Sequence, residues 1–146
     1  MINSILVVCI GNICRSPVGE RVLQLQLPNM KVKSAGLGAL VGHSADLTAS
    51  EVAQELGISL NGHKGRQFTV ELGTSQDLIL AMEPAHRSEI GQIAPQLLGK
   101  TMLYGHWTDG RGIEDPYKAS REFHEMIFGK IKDASDAWVS RLRLDK

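Results

Sequence analysis

Apolar and polar positions change along the chain in a pattern that predicts strands and helices in turn. Ser4–Val8 is an apolar, β-branched run, typical of a strand buried on both faces. A helix is predicted from Ser16, as its N-cap, to about Leu27, with Pro17 in its first turn. Further strands are predicted at Met30–Ser34, Asp77–Met82 and Lys100–Tyr104, and further helices at Thr48–Leu56, Pro84–Ile93 and 123–142.

Strands that alternate with helices predict an α/β fold. The 146 residues contain no repeat or linker, so we expect one domain over residues 1–146. This length suits a three-layer sandwich, a four-stranded parallel sheet with helices on both faces. Such sheets bind ligands beyond the carboxyl ends of their strands. The first strand ends at Cys9, so we expect the chemistry there.

Composition limits the classes of partner. Sixteen Lys and Arg balance sixteen Asp and Glu, giving a formal net charge of zero. Nucleic-acid and anionic-membrane binders normally carry a basic excess, so neither partner is expected. Cys9 and Cys14 are the two cysteines, and the apolar run Ile5–Ile10 is too short for a signal or a membrane span. We therefore expect a reducing, cytoplasmic location and no membrane insertion.

The segment Cys9–Ser16 has the composition of a phosphate-binding loop. Gly11 and Asn12 tolerate positive φ, so the backbone can curl and direct successive N–H groups at one anion. The following helix adds its positive N-terminus, and the Arg15 fork can hold two phosphate oxygens. The expected phosphate contacts are Ile10, Gly11, Asn12, Ile13, Cys14 and Ser16.

Cys9 would lie beneath a phosphate held by this loop. The cationic surroundings favour its thiolate, a nucleophile aimed at phosphorus, and Ser16 could donate a hydrogen bond to it. The alternative is a structural cysteine at a strand end, since cysteine is often a small core residue. The loop lacks the Gly-x-Gly-x-x-Gly and Gly-Lys-Ser/Thr patterns, which disfavours NAD or ATP.

Asp115-Pro116-Tyr117 is the best candidate for a general acid. Cleaving a phosphate ester requires a proton on the leaving oxygen. Pro116 stiffens the segment, and Tyr117 offers an aromatic wall to a substrate ring. The alternative is an ordinary surface turn, since Asp-Pro is a common turn dipeptide.

At these residues the sequence resembles the low-molecular-weight protein tyrosine phosphatases, and Ser34-Ala35-Gly36 and His63–Gln67 also look like family segments. The resemblance implies neither metal nor cofactor. It implies that Cys9 attacks phosphorus, that Arg15 stabilises the transition state, and that Asp115 protonates the tyrosyl oxygen and then activates water. It further implies two supporting roles. Asn12, Ser16, Ser34 and His63 would shape the phosphate loop, and Cys14 could trap an oxidised Cys9 as a disulfide.

Two positions at the pocket rim point to one branch of the family. Leu40 stands where eukaryotic members carry tryptophan, and Lys118 stands where many members carry a second aromatic residue. Both resemble the bacterial branch associated with tyrosine kinases of capsule and exopolysaccharide export. By analogy, the implied partner is such a kinase with clustered phosphotyrosines, whose acidic tail would suit a cation at the rim.

Two other functions fit the same loop. Thioredoxin-coupled arsenate reductases share the fold but need downstream cysteines, and residues 15–146 contain none. A glutathione-assisted route stays open. A non-catalytic phosphotyrosine reader would be expected to have lost Cys9 or Asp115, and both are present. The remaining histidines are scattered, so no metal site is expected; they are His43, His86, His106 and His124.

Overall fold

The computed structural model describes residues 1–144. The strands are β1 (Ser4–Cys9), β2 (Lys31–Gly36), β3 (Leu78–Ala81) and β4 (Thr101–Leu103). The helices are α1 (Arg15–Gln26), α2 (Leu47–Glu55), α3 (Val70–Thr74), α4 (Pro84–Ile93) and α5 (Arg121–Leu144), with a 3₁₀ helix at Pro95–Lys100. No helix within residues 1–144 is long and apolar enough to span a bilayer.

The four strands form one parallel sheet in the order β2-β1-β3-β4. This confirms the predicted α/β class. The central strands β1 and β3 are buried almost throughout, as their continuous apolar sequences predict. Since β1 lies between β2 and β3, the segments that follow these three strands meet at one edge of the sheet.

Helices cover both faces of the sheet and enclose two cores. Alternate β1 residues divide between them: Ile5 and Val7 face the core beneath α1, α2 and α5, and Leu6 and Val8 face the core beneath α4. The predicted closing helix is confirmed as α5. Its buried stripe includes Ile127, Ile131, Ala134, Trp138 and Leu142.

Two predicted helix starts are wrong. Helix α1 begins at Arg15 after Cys14, and no side chain caps it, because the Ser16 hydroxyl contacts Cys9 instead. Helix α2 is capped by Asp46, whose carboxylate accepts the Ala49 N–H at 3.1 Å, and not by Thr48. The Ser16 contact belongs to the loop and not to the helix end, whereas the Asp46 cap is a local signal that the choice of Thr48 overlooked.

Candidate active site

The phosphate loop joins β1 to α1, and the segments that surround it donate hydrogen bonds to its carbonyl groups. Five successive carbonyls, from residue 9 to residue 13, accept hydrogen bonds of 2.6–3.0 Å. The bonds are Leu37 N–H to Cys9, Gly38 N–H to Ile10, Leu40 N–H to Gly11, His63 Nε2–H to Asn12 and Asp46 N–H to Ile13. In a trans peptide the N–H points opposite to the C=O. The five amides of residues 10–14 therefore face the inside of the loop, and none of them donates a hydrogen bond to another group within residues 1–144.

The conformation of the loop depends on two close backbone features. Asn12 has φ = 59° and is fully buried, whereas Gly11 has no positive φ, so only Asn12 of the predicted pair adopts this conformation. Gly36, at the end of β2, lies directly against the loop. A Cβ there would lie 2.2 Å from the Ile10 carbonyl oxygen and 3.1 Å from the Asn12 Cβ.

Gly36→Ala is expected to displace the phosphate loop. The added methyl group would clash with the Ile10 carbonyl, and a backbone atom cannot move aside as the end of a flexible side chain can. We expect a loss of at least about tenfold in kcat and about 1–3 kcal/mol in the free energy of unfolding. Steady-state kinetics and thermal unfolding measure both. Gly99→Ala is the matched control, since a Cβ at Gly99 meets nothing within 4 Å. Equal behaviour of the two variants would contradict the proposed constraint.

A buried chain of hydrogen bonds ends on the Cys9 sulfur. Asn12 Nδ2 donates to Ser16 Oγ at 2.7 Å and to Ser34 Oγ at 3.0 Å, and Ser34 Oγ–H donates to Glu20 at 2.9 Å. Ser16 Oγ lies 2.8 Å from Cys9 Sγ. Since Ser16 already accepts from Asn12, its own hydrogen is free to donate to sulfur. This orientation stabilises a thiolate.

Arg15 is anchored deep in the site, with its side chain only 2% exposed. Its guanidinium forms an ion pair with Glu83 and donates to the Ile113 carbonyl at 2.7 Å. Its second terminal nitrogen lies 3.8 Å from Asp115 Oδ2. A guanidinium fixed in this way loses little freedom when it binds an anion.

The sequence interpretation missed Glu83 and the Ile113 carbonyl. Glu83 lies two residues beyond the end of β3, the strand beside β1, and it also caps α4 in a reciprocal pair with His86. Burial and the neighbouring Arg15 lower the pKa of His86, which favours the neutral ring that accepts the Glu83 N–H at 3.2 Å. The position of Glu83 after a neighbouring strand was the signal that could have identified it.

Cys14 has the opposite surroundings to those a nucleophile needs. It is buried, and desolvation, followed by the charges of Asp46, Asp115 and Cys9, raises the pKa of its thiol far above the usual range. It stays protonated at neutral pH, which leaves Cys9 as the reactive sulfur. Both cysteines are free thiols.

Asp115 lies at the mouth of the site with its side chain about half exposed. Its Oδ1 accepts the Tyr117 N–H at 3.0 Å, so Oδ2 is directed towards Arg15. The segment just before Asp115 is held by two contacts. Ile113 N–H bonds to Met82 at 2.8 Å, and Glu114 pairs with Lys130 at 2.9 Å.

These groups enclose a pocket of about 210 Å³. Leu40 and Tyr117 form apolar walls, and both are part-exposed at the rim. The lining residues are Cys9, Ile10, Gly11, Asn12, Ile13, Cys14, Arg15, Gly38, Leu40, Asp115 and Tyr117. Ser16, Ser34 and His63 lie behind the loop. The structure thus brings the predicted residues together in two layers, one facing the pocket and one supporting it.

The family model described as low molecular weight phosphotyrosine protein phosphatase matches residues 4–146. The chain belongs to this family. It is 53% identical over 140 residues to the low molecular weight protein-tyrosine-phosphatase Etp of Escherichia coli K12, covering 96% of this chain and 95% of Etp. At this identity over nearly the full length, the protein is an enzyme of the same class.

Solved structures of family members share this fold. Wzb of Vibrio vulnificus in complex with benzylphosphonate is 46% identical, has a TM-score of 0.94, and matches over 97% of this chain and 99% of that structure. The arginine phosphatase YwlE of Geobacillus stearothermophilus is more distant, at 31% identity and a TM-score of 0.91, over 97% and 94% of the two chains. The low-molecular-weight phosphatase fold therefore carries more than one specificity.

Proposed function

We propose that this phosphatase hydrolyses phosphotyrosine in two steps through a phosphate ester of Cys9. The observation that carries the proposal is the position of the Cys9 sulfur at the base of five inward-facing amides, beside a buried arginine and a serine hydroxyl. The whole chain, residues 1–146, would act as one phosphatase domain.

In the first step the Cys9 thiolate attacks phosphorus, and the bond from phosphorus to the tyrosyl oxygen breaks. Asp115, protonated at this stage, gives its proton to the leaving oxygen. Arg15 and the loop amides hold the equatorial oxygens, where negative charge develops. Their charge-assisted hydrogen bonds replace the role a metal ion plays in other phosphatases, so we propose no metal and no cofactor.

In the second step the Asp115 carboxylate takes a proton from water as the water oxygen attacks phosphorus. The S–P bond breaks, and Cys9 leaves as a thiolate. The Ser16 hydroxyl stabilises this leaving thiolate with the hydrogen bond it makes in the free enzyme. Inorganic phosphate then dissociates, and both catalytic groups return to their starting protonation states.

The pocket walls favour an aromatic phosphate ester. Leu40 and Tyr117 both line the pocket and offer apolar contacts to a tyrosyl ring. A phosphoarginine side chain would bury guanidinium N–H groups against these apolar walls, which is unfavourable. We propose a cytoplasmic enzyme whose partner is a phosphotyrosine protein, an autophosphorylated bacterial tyrosine kinase of capsule or exopolysaccharide export. The rim residues Leu40 and Lys118 support this choice.

The test compares kcat/KM for peptides of one sequence that carry phosphotyrosine, phosphoserine or phosphoarginine. We expect phosphotyrosine to be preferred by about a thousandfold or more, since phosphoserine has no ring to contact the apolar walls of the pocket. Equal or better turnover of phosphoarginine would overturn the substrate assignment while keeping the fold and mechanism. Reduction of arsenate with glutathione, without phosphatase turnover, would favour the reductase alternative instead.

A further inference from the structure

Lys118 occupies a backbone conformation that lysine rarely adopts. Ala119 N–H donates to the Pro116 carbonyl at 2.8 Å, closing a four-residue turn. Lys118, the third residue of this turn, has φ = 64°, and Tyr117 has no positive φ. This is the pattern of a type II turn, whose third position normally holds glycine or asparagine. This position therefore carries a lysine although glycine would adopt the same φ without backbone strain.

The strained turn places an ammonium group at the mouth of the catalytic pocket. Lys118 Nζ lies 5.4 Å from the centroid of the Tyr117 ring. Tyr117 lines the pocket and is joined to Asp115 through its N–H. A cation at this distance is attracted to the ring face, so the ammonium stays beside the wall that a substrate ring would contact.

Two of the cations near the acid loop are paired with carboxylates, whereas Lys118, in the part of the chain that the structure describes, is not. Arg15 is paired with Glu83, and Lys130 is paired with both oxygens of Glu114. Lys118 is exposed and, within residues 1–144, makes no ion pair with a carboxylate. Its charge is therefore available to a group that arrives with the substrate.

We propose that Lys118 determines substrate specificity by binding an anionic group that flanks the phosphotyrosine. This rests on the proposed phosphotyrosine activity and adds the chemistry of the neighbouring residue. The anion is a glutamate or aspartate carboxylate, or a second phosphotyrosine in a cluster. Long-range attraction also favours such peptides before contact, which raises kcat/KM.

Lys118→Gly provides a clean test, because glycine prefers this turn conformation and the fold is not put at risk. Three phosphotyrosine peptides are compared, with neutral, glutamate or phosphotyrosine flanks. Wild type should prefer each anionic peptide over the neutral one. In the variant, the ratio of kcat/KM for the anionic peptide to kcat/KM for the neutral peptide should fall by about three- to fivefold, the size expected for one exposed ion pair. Each preference is expressed relative to the neutral peptide turned over by the same variant, so that a general change in turnover cancels.

Matched variants separate this effect from a change in net charge. Lys132→Gln removes a cation from α5 that is paired with Asp136, and it should keep the wild-type preference. Lys118→Arg should keep it too, and high salt should abolish it in wild type. An unchanged preference in Lys118→Gly overturns this proposal alone. Absence of turnover on every phosphotyrosine peptide in wild type overturns the proposed function as well.

Discussion

Asp115→Asn is expected to slow phenyl phosphate hydrolysis by about a hundred- to a thousandfold, the usual contribution of a positioned general acid. The asparagine oxygen can still accept the Tyr117 N–H, so the turn is retained, but the amide has no proton to give. A good leaving group such as p-nitrophenol needs little protonation, so its release should slow far less. The measurement is kcat across a series of aryl phosphates of increasing leaving-group pKa.

The neighbouring carboxylate provides the control for this variant. Glu114→Gln removes a charge from the same loop and breaks only an exposed ion pair with Lys130. It should cost little stability and leave the leaving-group dependence as in wild type. If Asp115→Asn slows good and poor leaving groups equally, Asp115 is not the acid.

Local sequence signals predicted the elements that meet at the site. The apolar run of β1, the loop Cys9–Ser16 and the helix after it are contiguous in sequence, so composition and spacing were enough to predict that they lie together. The four predicted strands and the four predicted helices lie close to their predicted positions. The helix starts that differ involve Ser16, whose hydroxyl contacts Cys9 in the same loop, and Asp46, which caps α2 two residues before the predicted Thr48.

Contacts between distant segments could not be predicted in the same way. Glu83 is 68 residues from Arg15, and Ile113 is 98 residues away, so neither pairing has a local signature. The short helix α3 was missed because five residues are too few to show a period. Ser34 and His63 were identified through the family resemblance alone. Both contact Asn12, in a loop that also lies directly against Gly36.

Cys9→Ser is expected to abolish turnover, with a loss of about ten-thousandfold or more in kcat. A serine hydroxyl in this position is not ionised at the working pH, and the hydrogen bond from Ser16 cannot compensate. The amide ring and Arg15 are independent of the sulfur, so inorganic phosphate should still bind. Competition by phosphate and direct binding by calorimetry measure the retained affinity.

Cys14→Ser is the matched control, since it makes the same atomic change five residues away in the same loop. The Cys14 thiol is buried and protonated and has no part in either chemical step. We expect its variant to keep kcat within about tenfold of wild type. A complete loss in this variant would show that the loop does not tolerate the substitution, and Cys9→Ala would then replace Cys9→Ser.

Rapid mixing of the enzyme with p-nitrophenyl phosphate at mildly acidic pH tests the cysteinyl-phosphate route most directly. The predicted result is a burst of one equivalent of p-nitrophenol per active site before slower turnover, with the phosphoryl group found on Cys9 in the acid-quenched enzyme. The burst should be absent in Cys9→Ser. Turnover that is linear from the first milliseconds, with no phosphoryl group on Cys9 at any quench time, would contradict the account and indicate direct attack by water.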